Sequence, residues 1–344
     1  MMQASLMSTE RQKMKIAIIS VTNSGDRISQ SLKENLEVYH KYSCHIYTKD
    51  EVKTLTLNKI CSEAMENFQG IIFISSTGIA VRGIAPFIKS KDKDPAVVVI
   101  DNSVKYAISL LSGHLGGANT LTEEVSHILK CIPIITTATD GLKIEAPDMV
   151  AKNNNLIIDN LKDAKDIAAL LVEGKKVAFI DEKSLINIPK GYVEEENQAD
   201  GAVYVTHKLE VENTTHKTLK LIRKDIVLGI GCRKDYDINS MEQNVLKSLR
   251  ENNINLRSVK KIATVEIKAK EKAILSLRDK LNCELEIFTI EEIKKVEDKY
   301  EGSDFVRKTL GIGSVCEPSV ELSGGKIIKN KMKLNGMTLS IGVL

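Results

Sequence analysis

Short, β-branched apolar runs alternate with helical patterns along the first part of the chain, and that alternation constrains the fold more than any other feature. KIAIISV (15–21), GIIFISS (70–76), AVVVI (96–100) and CIPIITT (131–137) each read as a buried strand. A turn TNSGD follows the first, and ISQSLKENLEVYHKY begins a helix. IAVRGIAPFI reads as a short helix after Thr77-Gly78, and TLTEEVSHILK (120–130) as an amphipathic one. YAISLL (106–111) is a strand joined to AVVVI by the turn Asp101-Asn102-Ser103. Strand–helix alternation of this kind predicts an α/β layer with a largely parallel sheet.

The texture changes near residue 151. Asn153-Asn154-Asn155 and the polar GYVEEENQADG (191–201) bracket a shorter α/β unit with strands KVAFI (176–180) and AVYVTH (202–207). KTLKLIRKD (217–225) reads as an edge strand leading into a linker. A third α/β unit opens with IVLGIGC (226–232), continues through a helix from about Asn239 to Glu251, and closes on a β-hairpin. Its turn is Asn335-Gly336 between KIIKNKMKL and MTLSIGVL, the strongest short hairpin signal. At 344 residues the chain has length for about two domains; the changes of texture make three, over 14–150, 151–224 and 225–344.

Composition narrows the function classes. Lys plus Arg number 49 and Asp plus Glu 46, a formal charge of only +3, whereas a general nucleic-acid binder needs a large cationic surplus. Aromatic residues are 4% with no tryptophan, so stacking platforms for single strands are not expected. The six cysteines lie far apart with no CxxC pair, which implies neither a disulfide framework nor a zinc knuckle. No apolar run reaches the ~18 residues of a membrane span, and MMQASLMSTERQKM has no apolar core or cleavage site. These features suit a cytoplasmic small-molecule enzyme or binding protein, with no nucleic-acid or membrane partner.

The densest chemistry lies in SGHLGGANTLTEE, 112–124. Gly113, Gly116 and Gly117 let a loop approach a ligand closely, and a glycine loop entering a helix offers unpaired N–H groups to an anion. Asn119 or Thr120 would cap the following helix, Thr120 forming a capping box with Glu123. The same glycines would also serve a tight turn with no ligand. His114, between the glycines, suits general acid or base work. Thr136-Thr137-Ala138-Thr139-Asp140 follows the strand at 132–135, where α/β sheets gather ligands. Arg82 lies just past the Thr77-Gly78 turn and could fork a carboxylate. Lys89 and Lys93 read as solvated. Gly229-Ile230-Gly231-Cys232-Arg233 repeats the glycine theme after a strand, but Lys234 replaces the third glycine of a dinucleotide fingerprint. Cys232 and Cys316 read as structural, and Glu317 as a helix N-terminal charge or a catalytic acid.

TGIAVRGIAPFIKSKDKDPAVVVID (77–101), LLSGHLGGAN (110–119) and TTATDG (136–141) resemble the amino-terminal domain of the CbiG family of anaerobic cobalamin biosynthesis. GIGCRKD (229–235), KIATVEIKAKE (261–271) and SVCEPSVELSGGK (314–326) resemble its carboxy-terminal domain, and the polar middle resembles its central one. The chain departs from the family at Pro318-Ser319, where small residues such as alanine usually follow the Cys-Glu pair.

The resemblance implies a cobalt-precorrin-5A hydrolase, which opens the δ-lactone of a cobalt corrinoid and releases a two-carbon bridge as acetaldehyde. The substrate brings the cobalt, so no resident cofactor or metal site is expected. On this reading His114 is the general base or acid, and Asp140 orients it or serves as alternate base. Arg82, Lys91, Arg233 and the loop Gly113, Gly116, Gly117 and Asn119 would meet the acetate and propionate rim of the macrocycle. Asp101 and Thr137 would be secondary polar contacts. Transient contact with other cobalamin-pathway enzymes is also implied. Two alternatives stand beside it: a non-catalytic corrinoid-binding or handover protein of the same pathway, and an unrelated α/β enzyme acting on a phosphorylated metabolite.

Overall fold

The computed structural model describes residues 13–38, 41–90, 93–137, 141–142, 144–212, 217–303, 307–308 and 311–344. Lys91 and Asp140 lie outside the described residues. The chain divides into two units, one up to Met149 and one from Val150 onward.

In the first unit the strands β1 (Met14–Ser20), β2 (Tyr42–Tyr47), β3 (Gly70–Ile74), β4 (Ala96–Ile100), β5 (Tyr106–Leu111) and β6 (Ile132–Ile134) form one sheet ordered β2-β1-β3-β4-β5-β6. Pairing is parallel except between β4 and β5. Because successive side chains alternate between faces, the continuous apolar runs fill two cores. Ile16, Ile18, Ile72, Ile74, Val98 and Ile100 face α1 (Asn23–Val38) and α5 (Ala118–Leu129). Ala17, Ile19, Ile71, Phe73, Val97 and Val99 face α4 (Thr77–Ile84) and α3 (Leu57–Asn67), which follows the short α2 (Lys49–Leu55). Each fully buried isoleucine or valine contributes about 1.5–3 kcal/mol, so a polar residue within these runs would disrupt one core or the other.

Some local expectations change. TNSGD is not a separate turn: Asn23 to Asp26 form the first turn of α1, where Thr22 Oγ1 accepts a hydrogen bond from Gly25 N at 3.0 Å. The Thr120–Glu123 capping box does not form. The helix starts earlier, at Ala118, with Gly117 at its N-cap in the left-handed region (φ 87°) and Thr120 already helical.

The second unit holds two sheets. The first, ordered β7-β10-β9-β8, joins β7 (Ile157–Ile158), β8 (Val177–Asp181), β9 (Gly201–Thr206) and β10 (Lys217–Ile222), beside the helix Leu161–Val172. The stretch expected as an edge strand lies inside this sheet, since Leu221 and Ile222 pair with Ile158 and Ile157. The second sheet, ordered β13-β12-β11-β15-β14, joins β11 (Ile226–Cys232), β12 (Val259–Val265), β13 (Glu284–Phe288), β14 (Lys326–Leu334) and β15 (Met337–Val343). The helices Ile238–Glu251 and Lys272–Leu281 pack on one face, with Met241, Val245, Leu249, Ile274 and Leu277 in its core. Asn335 and Gly336, with φ of 45° and 92°, make the expected hairpin turn.

Gly229 and Gly231 do not form a loop beyond the strand; they lie within β11. A Cβ on Gly229 would stand 1.9 Å from the Cys316 carbonyl oxygen, so the glycine lets the helix Cys316–Leu322 lie directly on the strand. Among the described residues no helix is long and apolar enough to cross a membrane.

Candidate active site

The direction of β5 decides where the first unit's chemistry gathers. Antiparallel to β4, it places Leu111 opposite Val97, so the 112–117 loop emerges at the edge where β1, β3 and β4 begin. β6 runs with β5, so Thr136 and Thr137 leave at the same edge.

Three hydrogen bonds close the loop on itself: Gly117 N to His114 O (3.0 Å), Ala118 N to Ser112 O (3.1 Å) and Asn119 N to Gly113 O (3.0 Å). The N–H groups expected to await an anion at Gly117, Ala118 and Asn119 are therefore committed to the turn. Ser112 takes a left-handed backbone (φ 58°), and its buried Oγ has no hydrogen-bond partner among the described residues. Asn119 braces the loop from below. Its Oδ1 accepts from Ser109 Oγ at 2.7 Å, and its Nδ2 donates to Thr137 Oγ1 at 3.0 Å. A Cβ on Gly113 would lie 2.7 Å from Asn119 Oδ1.

This bracing presents His114 to a carboxylate that sequence reasoning missed. His114 Nδ1 lies 3.6 Å from Asp148 Oδ2, with side chains 11% and 9% exposed. Asp148 stands in the first turn of the helix Pro147–Asn153, and its Oδ1 accepts from Met149 N at 3.0 Å. The signal was present in Pro147-Asp148, since proline and an acid both favour the start of a helix. The separation exceeds a hydrogen bond but is within ion-pair range of a protonated imidazole. A base that becomes cationic beside a buried carboxylate is a proton-transfer arrangement.

The structure brings His114, Gly113, Gly116, Gly117, Asn119 and Thr137 together. Asp101 lies at the opposite edge of the sheet, in the β4–β5 turn. It accepts from Ser103 N (3.1 Å), Lys105 N (2.9 Å) and Tyr106 N (2.6 Å). Burial works against its charge, but these bonds and the Ser103 hydroxyl outweigh that and lower its carboxyl. Its acceptors thus hold the turn. Arg82 is exposed and folds back along α4, with Nη1 3.4 Å from Gly78 O, toward the helix end that adjoins the carboxyl end of β3.

Arg233 belongs to the second unit, just past β11. Its Nη2 donates to Asn335 O at 3.1 Å and its backbone N to Gly336 O at 2.9 Å. Burial pushes the Cys232 and Cys316 thiols up to about 11, so neither supplies a thiolate at neutral pH. Glu317 is buried in the first turn of its helix and accepts from Lys331 N at 3.2 Å.

Three family models match the chain in order: Cobalamin synthesis G N-terminal over residues 59–140, Cobalamin biosynthesis central region over 145–222, and Cobalamin synthesis G C-terminus over 226–342. A cobalt-precorrin-5A hydrolase of Salmonella typhimurium is 33% identical over 293 residues, 82% of this chain and 84% of that one. The cobalt-precorrin-5A hydrolase of Priestia megaterium is 28% identical over 357 residues, 95% of this chain and 94% of its own. A third relative, from Methanocaldococcus jannaschii, is 31% identical over 341 residues, covering 95% and 98%.

Proposed function

Because the chain belongs to the CbiG family of cobalamin synthesis, we propose that it hydrolyses cobalt-precorrin-5A, opening the δ-lactone of that corrinoid and releasing acetaldehyde. The cobalt enters as part of the substrate. The observation that carries the chemistry is the largely buried His114 imidazole facing the buried Asp148 carboxylate.

Neutral His114 takes a proton from water as the water oxygen adds to the lactone carbonyl carbon. Asp148 stabilises the resulting imidazolium, the part first sought at Asp140. The acyl–oxygen bond breaks, leaving a carboxylic acid and an alcohol on the two-carbon bridge. Removing the alcohol proton lets the bond from that bridge to the macrocycle break. Its oxygen-bearing carbon leaves as acetaldehyde, the bonding pair passes into the macrocycle, and the macrocycle takes up a proton. Gly113 and Gly116 leave room for Asn119 and Ser112 within the loop, Gly117 takes the left-handed backbone at the helix N-cap, and Asn119 and Thr137 hold the loop in place. Arg82 and Asp101, at the other edge, take no part in this step.

The test is direct. Purified protein supplied with the lactone intermediate should release one acetaldehyde per corrinoid consumed, measured by aldehyde trapping. Retention of the corrinoid with no acetaldehyde would instead identify a handover protein.

A further inference from the structure

Opening a lactone asks two things of a site: a base for the attacking water, and a donor for the carbonyl oxygen that gains charge. His114 meets the first need. The donors that a glycine loop would offer for the second are already committed, because the N–H groups of Gly117, Ala118 and Asn119 close the turn.

Ser112 carries a donor that is not committed. It stands between β5 and Gly113, two residues before His114. Its Oγ is buried and has no hydrogen-bond partner among the described residues, although the residue as a whole is partly exposed. Its backbone lies at φ 58°, a region that serine seldom enters. Among the described residues, Ser112 alone joins a left-handed non-glycine backbone to a buried side-chain polar atom without a partner. Each feature lowers stability, and glycine at this position would carry neither. Such costs persist where the surrounding structure imposes them, and they gather at functional sites.

The surroundings do impose them here. Ser112 O accepts from Ala118 N at 3.1 Å, which ties the serine to the start of α5. A Cβ on Gly116 would fall 2.4 Å from Ser112 Cβ, so the loop folds back closely onto the residue. With the backbone held, the freedom left to the side chain is rotation about Cα–Cβ. The hydroxyl can turn to an incoming acceptor without giving up a hydrogen bond.

We propose that Ser112 is the oxyanion donor of the lactone-opening step, a catalytic residue beyond His114 and Asp148. The inference rests on the hydrolysis proposed above. As the water oxygen bonds to the carbonyl carbon, the C=O π pair moves onto the carbonyl oxygen. Ser112 Oγ–H donates a hydrogen bond to that oxygen and keeps its proton. The pair returns when the acyl–oxygen bond breaks. The later loss of acetaldehyde has no acyl carbonyl to stabilise, so Ser112 has no part in it.

The test compares Ser112→Ala and Ser112→Gly in the full chain on two substrates, the lactone and its ring-opened hydroxy acid prepared chemically. Ser112→Ala removes the hydroxyl and keeps the Cβ; Ser112→Gly also relieves the backbone. Both should lose about a hundredfold or more in kcat on the lactone, with KM little changed. Both should release acetaldehyde from the hydroxy acid at the parental rate. Ser112→Gly should also melt above the parent, since glycine takes this φ freely, and a slower yet more stable enzyme is not what loss of a structural contact produces. Parental kcat on the lactone in Ser112→Ala overturns the proposal. Equal losses on the two substrates also overturn it, because they mark a damaged loop. A parent chain that releases acetaldehyde from neither compound removes the activity and this inference with it, whereas a parent that turns over beside unimpaired variants removes the inference alone.

Discussion

Two glycine clusters follow apolar runs in this chain, Gly113–Gly117 in the first unit and Gly229–Gly231 in the second, and they do different physical work. The first lies in a loop that closes on its own carbonyls and holds His114 against Asp148. The second lies inside a strand and clears space for a helix. Glycine spacing alone reports that something comes close. Whether that neighbour is a ligand or the protein's own backbone depends on what the tertiary fold places above it.

Gly229→Ala tests this contrast most severely. Its Cβ would overlap the Cys316 carbonyl, which belongs to helix backbone and cannot swing aside. Overpacking of this kind costs about 3 kcal/mol or more, so the variant should show a large fall in Tm or fail to accumulate as folded protein. Gly113→Ala meets only the end of the Asn119 side chain and should lose far less stability, its damage appearing in turnover. Similar Tm losses in both would erase the distinction.

His114→Ala should come next, with acetaldehyde release falling about a hundredfold or more and a Tm close to that of the parent. Full turnover would remove His114 from the mechanism.

A parallel contrast separates the two histidine–aspartate contacts, His114–Asp148 at 3.6 Å and His207–Asp225 at 3.4 Å. Asp225 is also bridged by Lys183 at 2.6 Å, tying the end of β9 and the turn after β8 to the start of β11. Burial alone would raise its carboxyl, but His207 and Lys183 outweigh that and lower it. A carboxyl depressed in the folded state stabilises above its unfolded value of about 3.9, and that stability is lost as pH falls through the lower folded value. Asp225→Asn should therefore cost about 1–2 kcal/mol in urea unfolding at neutral pH, and the difference should shrink below about pH 3.9. A constant difference across that range would show that charge is not what binds there.

Asp148→Asn should have the smallest effect, about tenfold in turnover, with little change in unfolding and an altered pH–rate profile. Equal loss of stability would place Asp148 in the same structural class as Asp225.

The sequence made the parallel core readable because β1, β3 and β4 are apolar on both faces, and Asn335-Gly336 announced its hairpin. β2 was not readable: YSCHIY is an alternating, half-exposed edge strand without a continuous run. The reversal of β5 was legible in the short turn after Ile100, because so brief a connection to Tyr106 is too short for a parallel crossover, although composition alone records no direction. That reversal put Asp101 at one edge and His114 at the other. Asp148 escaped notice because its partner lies over thirty residues earlier, and only folding brings the two into contact.

The placement of β11 has a consequence for how the chain is made. It is the central strand of its sheet, yet its neighbour β15 is synthesised after every other strand of that sheet, and the arginine just beyond β11 reaches a carbonyl 102 residues later. A chain emerging from the ribosome holds β11 as an open apolar edge until β15 has been translated. The hollow beside Arg233, walled in part by the hairpin tip at Asn335, is therefore completed only then, after the His114 loop of the first unit has had time to form.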